Sequence, residues 1–406
     1  MLDLPNPFLP RDAADVLQIV RDAADAKRPL EILGQGSKRG IGHSVAAQHI
    51  VDMSNMSGVV FYEPDEIVLS VHAGTPIAEI ETLLAKENQE LAFEPMDYGP
   101  LFGRPRGGGT IGGALAANIS GPRRIKAGAA RDHVLGVQAV SGRGEAFKSG
   151  GRVVKNVTGY DLSKGLAGSW GTLAVLTDVT FKTLPRAEAA STLAVFGLDD
   201  RTGVDVLCAA MGSTGEISGA AHLPADAAGA LPQLSASGAS CTLLRLEGFR
   251  PSVLYRAERV AAMIGGEGRE IVRIDDAESV ALWRAIRDAE PFAGGERAVW
   301  RVSVAPASGP VLLEALAGKM SVRHFYDWSG GLVWLDVLEP LPDAGAETIR
   351  SCVRTVGGGH ATLIRAPGVD QAVPRFEPQP SALAALSARL KAGFDPLNIL
   401  NPGRMA

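Results

Sequence analysis

The chain has 406 residues, 46% hydrophobic and 21% charged, with a formal net charge of −5. That length suits two or three domains with a sizeable core, and the acidic balance excludes the basic footprint that a nucleic-acid partner requires. Cys208, Cys241 and Cys352 are widely spaced and odd in number, which predicts three reduced thiols with neither a disulfide framework nor metal-ligand spacing.

Residues 11–27 carry Val16 and Val20 at helical spacing after Pro10. Leu30 to Leu33 reads as a short strand and runs into GQGSKRGIG, residues 34–42. There Gly34, Gly36, Gly40 and Gly42 are interleaved with Gln35, Ser37, Lys38 and Arg39, so backbone amides, a hydroxyl and cations can cradle a pyrophosphate. The spacing is not the dinucleotide fingerprint of a doubly wound sheet, because no helix follows and the third glycine is one residue late. Ile67 to His72 is a strand, and Thr75-Pro76 starts a helix with Ile77, Ile80, Leu83 and Leu84 on its buried stripe.

Residues 104–124, RPRGGGTIGGALAANISGPRR, place Gly107, Gly108, Gly109, Gly112 and Gly113 within seven positions. Such a run lets backbone N–H groups approach a ligand. Thr110 can cap the short helix that follows, whose N-terminus suits a phosphate. Val134–Val140 is a strand, Asp161–Leu166 a short helix, Trp170-Gly171-Thr172 a tight turn and Leu173–Leu184 a long strand ended by Pro185. From residue 188 the order becomes strand, helix, two strands, helix, strand, then an inserted helix at 276–288, then the same order again to residue 364. That is two passes of the split β-α-β-β-α-β pattern, with Ser252 and Asp276 as helix caps. A proline-rich connection covers 365–380. Ser381 then caps a helix with Leu383, Leu386 and Leu390 on one face, and the tail reads FDPLNILNPGRMA.

Four segments in this order, GQGSKRGIG, RGGGTIGGALAANISGPRR, GYDLSKGLAGSWGTLAVLTDVTFKTLP and FDPLNILNPGRM, resemble the vanillyl-alcohol oxidase and p-cresol methylhydroxylase family. Within it, VVKNVTGYDLSKGLAG and FDPLNILNPGRM look like the FAD-binding subunits of bacterial glycolate oxidases. The resemblance implies an α+β fold. A two-subdomain FAD-binding domain would span 1–187, a double ferredoxin-like cap 188–368, and a C-terminal segment 369–406 would return to the first domain. It implies that Gly34, Gln35, Gly36, Ser37 and Lys38 hold the pyrophosphate of FAD, and that Gly109, Thr110, Ile111, Gly112 and Gly113 lie along the cofactor. Asn118, Gly121 and Pro122 would pack near the isoalloxazine, Gly171, Thr172 and Leu173 would approach it, and Asn401 would serve the tail motif. Covalent relatives often carry histidine where Ser37 stands, so a non-covalent FAD is implied.

The implied activity is flavin-linked oxidation of a small 2-hydroxy acid, glycolate to glyoxylate. The implied partners are a homologous FAD-linked subunit and an iron–sulfur subunit. Such chemistry needs a cation for the carboxylate and a base for the hydroxyl proton. The seven histidines, His43, His49, His72, His133, His222, His324 and His360, show no metal-ligand spacing, and only His360, Arg365 and His324 are candidates near a substrate. Three readings stay open: a flavin subunit of a complex, a self-sufficient FAD-dependent dehydrogenase, and a non-redox subunit that kept the fold. No stretch approaches the roughly 20 apolar residues of a membrane span, and the start has no signal-peptide pattern. A cytoplasmic location is expected, with any contact at the inner face of the membrane made through the complex.

Overall fold

A computed structural model describes residues 7–152, 159–266 and 269–405. Of the run VVKNVTGYDLSKGLAG, residues 153–158 lie outside the described residues. Helix α1 (Ala13–Asp25) is capped by Asp12, whose carboxylate accepts from the Asp15 amide at 2.9 Å, and it buries Val16, Val20 and Ala23. Strand β1 (Leu30–Leu33) pairs in parallel with β2 (His49–Asp52). The chain's tail runs beside β1: the Leu30 amide donates to Ile399 O at 2.7 Å and the Asn401 amide to Leu30 O at 3.0 Å.

An antiparallel sheet follows, built from β3 (Val59–Glu63), β4 (Val68–His72), β5 (Val134–Ser141), β6 (Ala146–Gly150) and β7 (Ala174–Lys182) in the order β3-β4-β7-β5-β6. Helices α2 (Ile77–Lys86) and α3 (Ile111–Ala116) close one side, and Leu69, Val71, Ile80, Leu84, Ile111 and Phe181 share its core. Pro76 is the residue before α2 rather than its first residue, with extended ψ of 137°.

Residues 189–365 form one eight-stranded antiparallel sheet. Its strands are β8 (Ala189–Phe196), β9 (Gly219–Leu223), β10 (Cys241–Gly248), β11 (Ile271–Asp275), β12 (Val299–Ser303), β13 (Val322–Asp327), β14 (Leu332–Val337) and β15 (His360–Arg365). The order β11-β8-β10-β9-β13-β14-β12-β15 is two four-stranded split β-α-β units placed second strand to second strand. The seam between them is a single bridging pair, His222 with Tyr326. Helices α4 (Asp200–Met211), α5 (Arg250–Ile264), α7 (Ser308–Leu316) and α8 (Ala346–Thr355) cover one face. The inserted helix α6 (Asp276–Arg287) packs on the other face, where Trp283 donates to Thr192 Oγ1 at 2.9 Å.

Period-two alternation sorts the side chains. Val333, Leu335 and Val337 of β14 pack under the outer helices, while Leu332 and Trp334 join a core shared with Ile41, Leu101 and Ala114 of the N-terminal part. The sheet therefore lies face-down on the first sheet's loops. Three of the expected caps differ. The residue before α5 is Phe249, so Ser252 sits inside the helix, and Asp275 precedes α6, with Asp276 at φ 47°. The C-terminal helix α9 (Ser381–Phe394) starts after Pro380, and Ser381 is its first residue rather than a cap.

Polar contacts bind the two sheets. Arg245 grips Glu94 with two bonds of 2.8 and 3.0 Å, and Arg123 reaches Glu247 at 2.6 and 2.9 Å and Glu90 at 2.7 Å. Burial works to raise the Glu247 pKa, but Arg245 and Arg123 outweigh it and hold the carboxyl at about 2. Burial leaves Glu90 above its ordinary value, with Arg123 pulling it down and the Glu247 and Glu94 charges adding to the rise.

Candidate functional site

The end of β1, the loop 34–38, the start of α3, the turn at Trp170-Gly171 and the tail at Asn401 and Arg404 converge on a cleft of about 740 Å³, part of it open to solvent. Among the described residues no carboxylate lines it. The amides of Gly34, Gln35, Gly36, Ser37 and Lys38 donate to no protein acceptor among the described residues. Five adjacent free donors form an anion nest.

Gly36 turns this loop with φ of 68°, where a side chain is strained, and a Cβ there would meet only open space. Gly34 is needed for a different reason: its Cβ would collide with the Thr110 hydroxyl, which instead accepts from the Gly113 amide at 3.3 Å and caps α3. Gln35 Oε1 accepts from the Gly109 amide at 2.8 Å, so the two glycine loops are stitched together. Asn401 does the same for two other walls. Its Oδ1 accepts from the Ile32 amide and its Nδ2 donates to Trp170 O, each at 2.8 Å.

Lys38 brings its ammonium 3.1 Å from Ser37 Oγ, beneath Gly113. Burial pushes its pKa down to about 8, against the weaker pull of Asp97. No carboxylate pairs with it among the described residues, so a desolvated cation faces the nest. Ala73, Ala116, Ala174 and Leu176 supply flat apolar wall. Free amides, an unpaired ammonium and an apolar slot fit a diphosphate joined to planar rings, which is the donor chemistry FAD requires.

Ten of the sequence-predicted residues line the cleft: Gly34, Gln35, Gly36, Ser37, Lys38, Thr110, Gly112, Gly113, Gly171 and Asn401. Gly109 adjoins it through Gln35, while Ile111 and Leu173 are buried in the core behind it and Thr172 bonds back to Ser169 O. Asn118, Gly121 and Pro122 stand apart from the lining. Asn118 accepts from the Arg131 amide at 3.0 Å, and Gly121 O accepts from the Trp328 indole at 2.9 Å, at the junction with the second sheet.

The candidates for substrate chemistry are dispersed. His324 Nε2 and the Tyr326 hydroxyl meet Asp200 at 2.6 and 2.8 Å on the outer, helix-covered face. Arg365 donates through Nε and Nη1 to the carbonyls of Arg297, Leu101 and Phe292, while its buried Nη2 has no hydrogen-bond partner among the described residues, and His360 is exposed at the start of the edge strand. Sequence reasoning missed Arg404, which donates to the carbonyls of Arg39 and Ile41 beneath the cradle; the tail motif NPGRM contains it.

It also missed Arg301. This β12 residue is half-buried on the inner face, its guanidinium 4.7 Å over the Trp328 ring, with no hydrogen bond or ion pair among the described residues. Burial lowers its pKa, opposed by the Tyr98 phenol and by Asp327, whose own carboxyl burial raises to about 7, and reinforced by Arg124. No sequence signal marks Arg301, because only the strand's register decides which way it points. Among the described residues no group of histidines, cysteines and carboxylates is placed to hold a metal, and no helix is long and apolar enough to cross a membrane.

This combination of a cradle-bearing α+β domain under a double ferredoxin-like sheet defines a flavoprotein fold of the p-cresol methylhydroxylase type, with FAD as its cofactor. The solved p-cresol methylhydroxylase superposes with a TM-score of 0.72 over 98% of this chain and 88% of that one, at 16% identity. The profile of the FAD binding domain family matches residues 7–150. The chain is 33% identical to glycolate oxidase subunit GlcE of Escherichia coli over 96% of both, and it belongs to that family of FAD-binding subunits. Glycolate oxidase subunit GlcD of Bacillus subtilis is 24% identical over 98% of this chain and 87% of its own length.

Proposed function

We propose that the chain is the FAD-binding subunit of a glycolate oxidase complex, in which glycolate loses two electrons and two protons to become glyoxylate. The observation that carries this reading is the carboxylate-free cradle of five free amides and Lys38, in a chain that matches a glycolate oxidase subunit end to end. Residues 1–187 would form the cofactor domain, 188–368 the cap and 369–406 the returning segment. When bound, FAD supplies the two-electron acceptor. The chain's own residues hold its diphosphate through the 34–38 amides and Lys38, and keep the two glycine loops in register through Gln35. Ser37 offers no imidazole for a covalent bond, so the cofactor is non-covalent. Arg301 offers a free guanidinium to a substrate carboxylate. His324 is held by Asp200, and Arg365 is anchored through Nε and Nη1 to three backbone carbonyls away from the cradle.

The match to a glycolate oxidase subunit over 96% of both chains favours an assembly over a self-sufficient enzyme. The partners are a homologous FAD-linked subunit and an iron–sulfur subunit, in the cytoplasm, with membrane attachment only through the complex. The test is glycolate oxidation with an artificial electron acceptor, using the FAD-loaded chain alone and then with its partners. Turnover that appears only on assembly supports the reading. Full turnover by the isolated chain promotes the self-sufficient dehydrogenase, and no turnover in either case removes glycolate as the substrate.

A further inference from the structure

Helix α9 has no interior. None of its 14 residues is buried. Leu383, Leu386 and Leu390 are 48, 54 and 44% exposed. Pro380 before it makes no side-chain cap bond. Helices shorter than about 12–15 residues are marginal in water without a packed face, so this one is close to that limit and has no face packed. It is held at its C-terminal end, where Lys391 Nζ bonds Asp395 and Thr172 O at 2.6 Å and Leu400 O at 3.1 Å, and where Phe394 meets Phe147. These bonds anchor its C-terminal turn and leave the leucines exposed.

The spacing of the leucines, three residues and then four, is the a–d–a seam that packs against another helix. In that register Arg389 takes a g position, one of the two that choose partners by charge. The segment 378–394 contains Arg389 and Lys391 and no aspartate or glutamate, and Lys391 is already neutralised by Asp395. A second copy of this helix would therefore bring no carboxylate to Arg389, and an antiparallel copy would set arginine against arginine. The complementary occupant is a different helix with an apolar seam edged by an acidic side chain.

We propose that the Leu383–Leu386–Leu390 seam is the docking surface for the homologous FAD-linked subunit of the complex, through an amphipathic helix that places a carboxylate opposite Arg389. This rests on the reading of the chain as a subunit. A GlcD-type relative aligns with 98% of this chain, so a homologous partner carries its own version of the C-terminal region.

The experiment co-expresses the full chain with the homologous FAD-linked subunit of the same organism and measures assembly by light scattering and dissociation constant, with glycolate turnover recorded in parallel. Leu386→Asp combined with Leu390→Asp should weaken the complex at least a hundredfold, and Arg389→Glu at least tenfold, while Arg389→Lys retains it. Unchanged flavin absorbance and melting temperature show that the variants are folded. A wild-type complex with normal turnover that survives the double variant overturns the docking surface alone. A wild-type homodimer that the double variant dissolves also overturns it, as does binding to phosphatidylglycerol vesicles that the double variant abolishes. A wild-type chain that forms no complex with that subunit overturns both this inference and the subunit reading.

Discussion

Replacing Lys38 by methionine tests the cradle through protons as well as affinity. Without a ligand, burial holds the Lys38 ammonium at about 8 instead of its ordinary value. The unfolded chain, with the lysine near 10.4, binds more protons between about pH 8 and 10, so the flavin-free protein gains stability as pH rises through that window. A diphosphate beside the ammonium restores the charged form. At pH 9 the free protein carries the proton about a tenth of the time and the complex nearly always, so FAD binding takes up about 0.9 proton, against about 0.1 at pH 7. Titration calorimetry in two buffers of different ionisation enthalpy reads this uptake directly. Lys38→Met should abolish it, weaken FAD binding roughly ten- to a hundredfold through loss of one charge-assisted bond of about 1.5–3 kcal/mol, and raise the melting temperature of the flavin-free protein. Equal heats in the two buffers for the wild type, or proton uptake that persists in the variant, would refute the placement of phosphate against Lys38.

Gly36→Val should strip flavin from a chain that still folds, since its Cβ meets only the open cleft and the left-handed backbone costs about 1–2 kcal/mol; visible absorbance against melting temperature separates the two effects. Gly112→Val should instead unfold the protein with or without flavin. A Cβ there would sit 2.8 Å from both Cβ and O of Ala73, and its amide is already bonded to Ala73 O. Acid precipitation should leave FAD in the supernatant, and yellow colour that stays with the pellet would contradict the role given to Ser37. Asp200→Asn should destabilise the protein by about 1–3 kcal/mol at neutral pH. The His222, His324 and Tyr326 side chains outweigh burial and hold this carboxyl far below its ordinary range, so its stabilisation is present above about pH 4 and lost in acid, where the gap to the wild type should close. In the assembled complex Arg301→Met should raise the glycolate KM at least tenfold and Arg301→Lys less; an unchanged KM would place substrate on the partner subunit.

The glycine loops were legible in the sequence because a phosphate cradle is local: its donors are adjacent residues, and Ser37 and Lys38 sit among them. The double split pattern was legible for a similar reason, since each β-α-β-β-α-β unit is written in consecutive segments. Facing was not legible. Whether Arg301 points to the outer helices or to the inner face beside Trp328 depends on a register set by β14, and His324 became a structural partner of Asp200 only because β13 stands beside α4's start. Arg365 looked free in the sequence and is anchored by its Nε and Nη1 to three carbonyls from distant turns. Gly112 reads as a cofactor glycine in the motif, yet its missing Cβ is required by Ala73 as well. The ions that join the two sheets, Glu90, Glu94 and Arg123 with Arg245 and Glu247, lie more than a hundred residues apart across the junction, beyond any periodicity.

That ionic junction bears on how this chain can diverge. Removing one member of a buried pair costs about 3–5 kcal/mol, whereas exchanging the whole set for well-packed apolar residues is often neutral. Arg245 shares Glu94 with Arg123, and Arg123 shares Glu247 with Arg245, so each single substitution strands a charge that two others were neutralising. Sequence drift at these positions is therefore ratcheted: intermediates carrying one change are selected against, and lineages should hold either the full set or none of it. The contact between cofactor domain and cap is thereby inherited as a block, while the exposed leucines of the C-terminal helix remain free to follow whatever surface they meet.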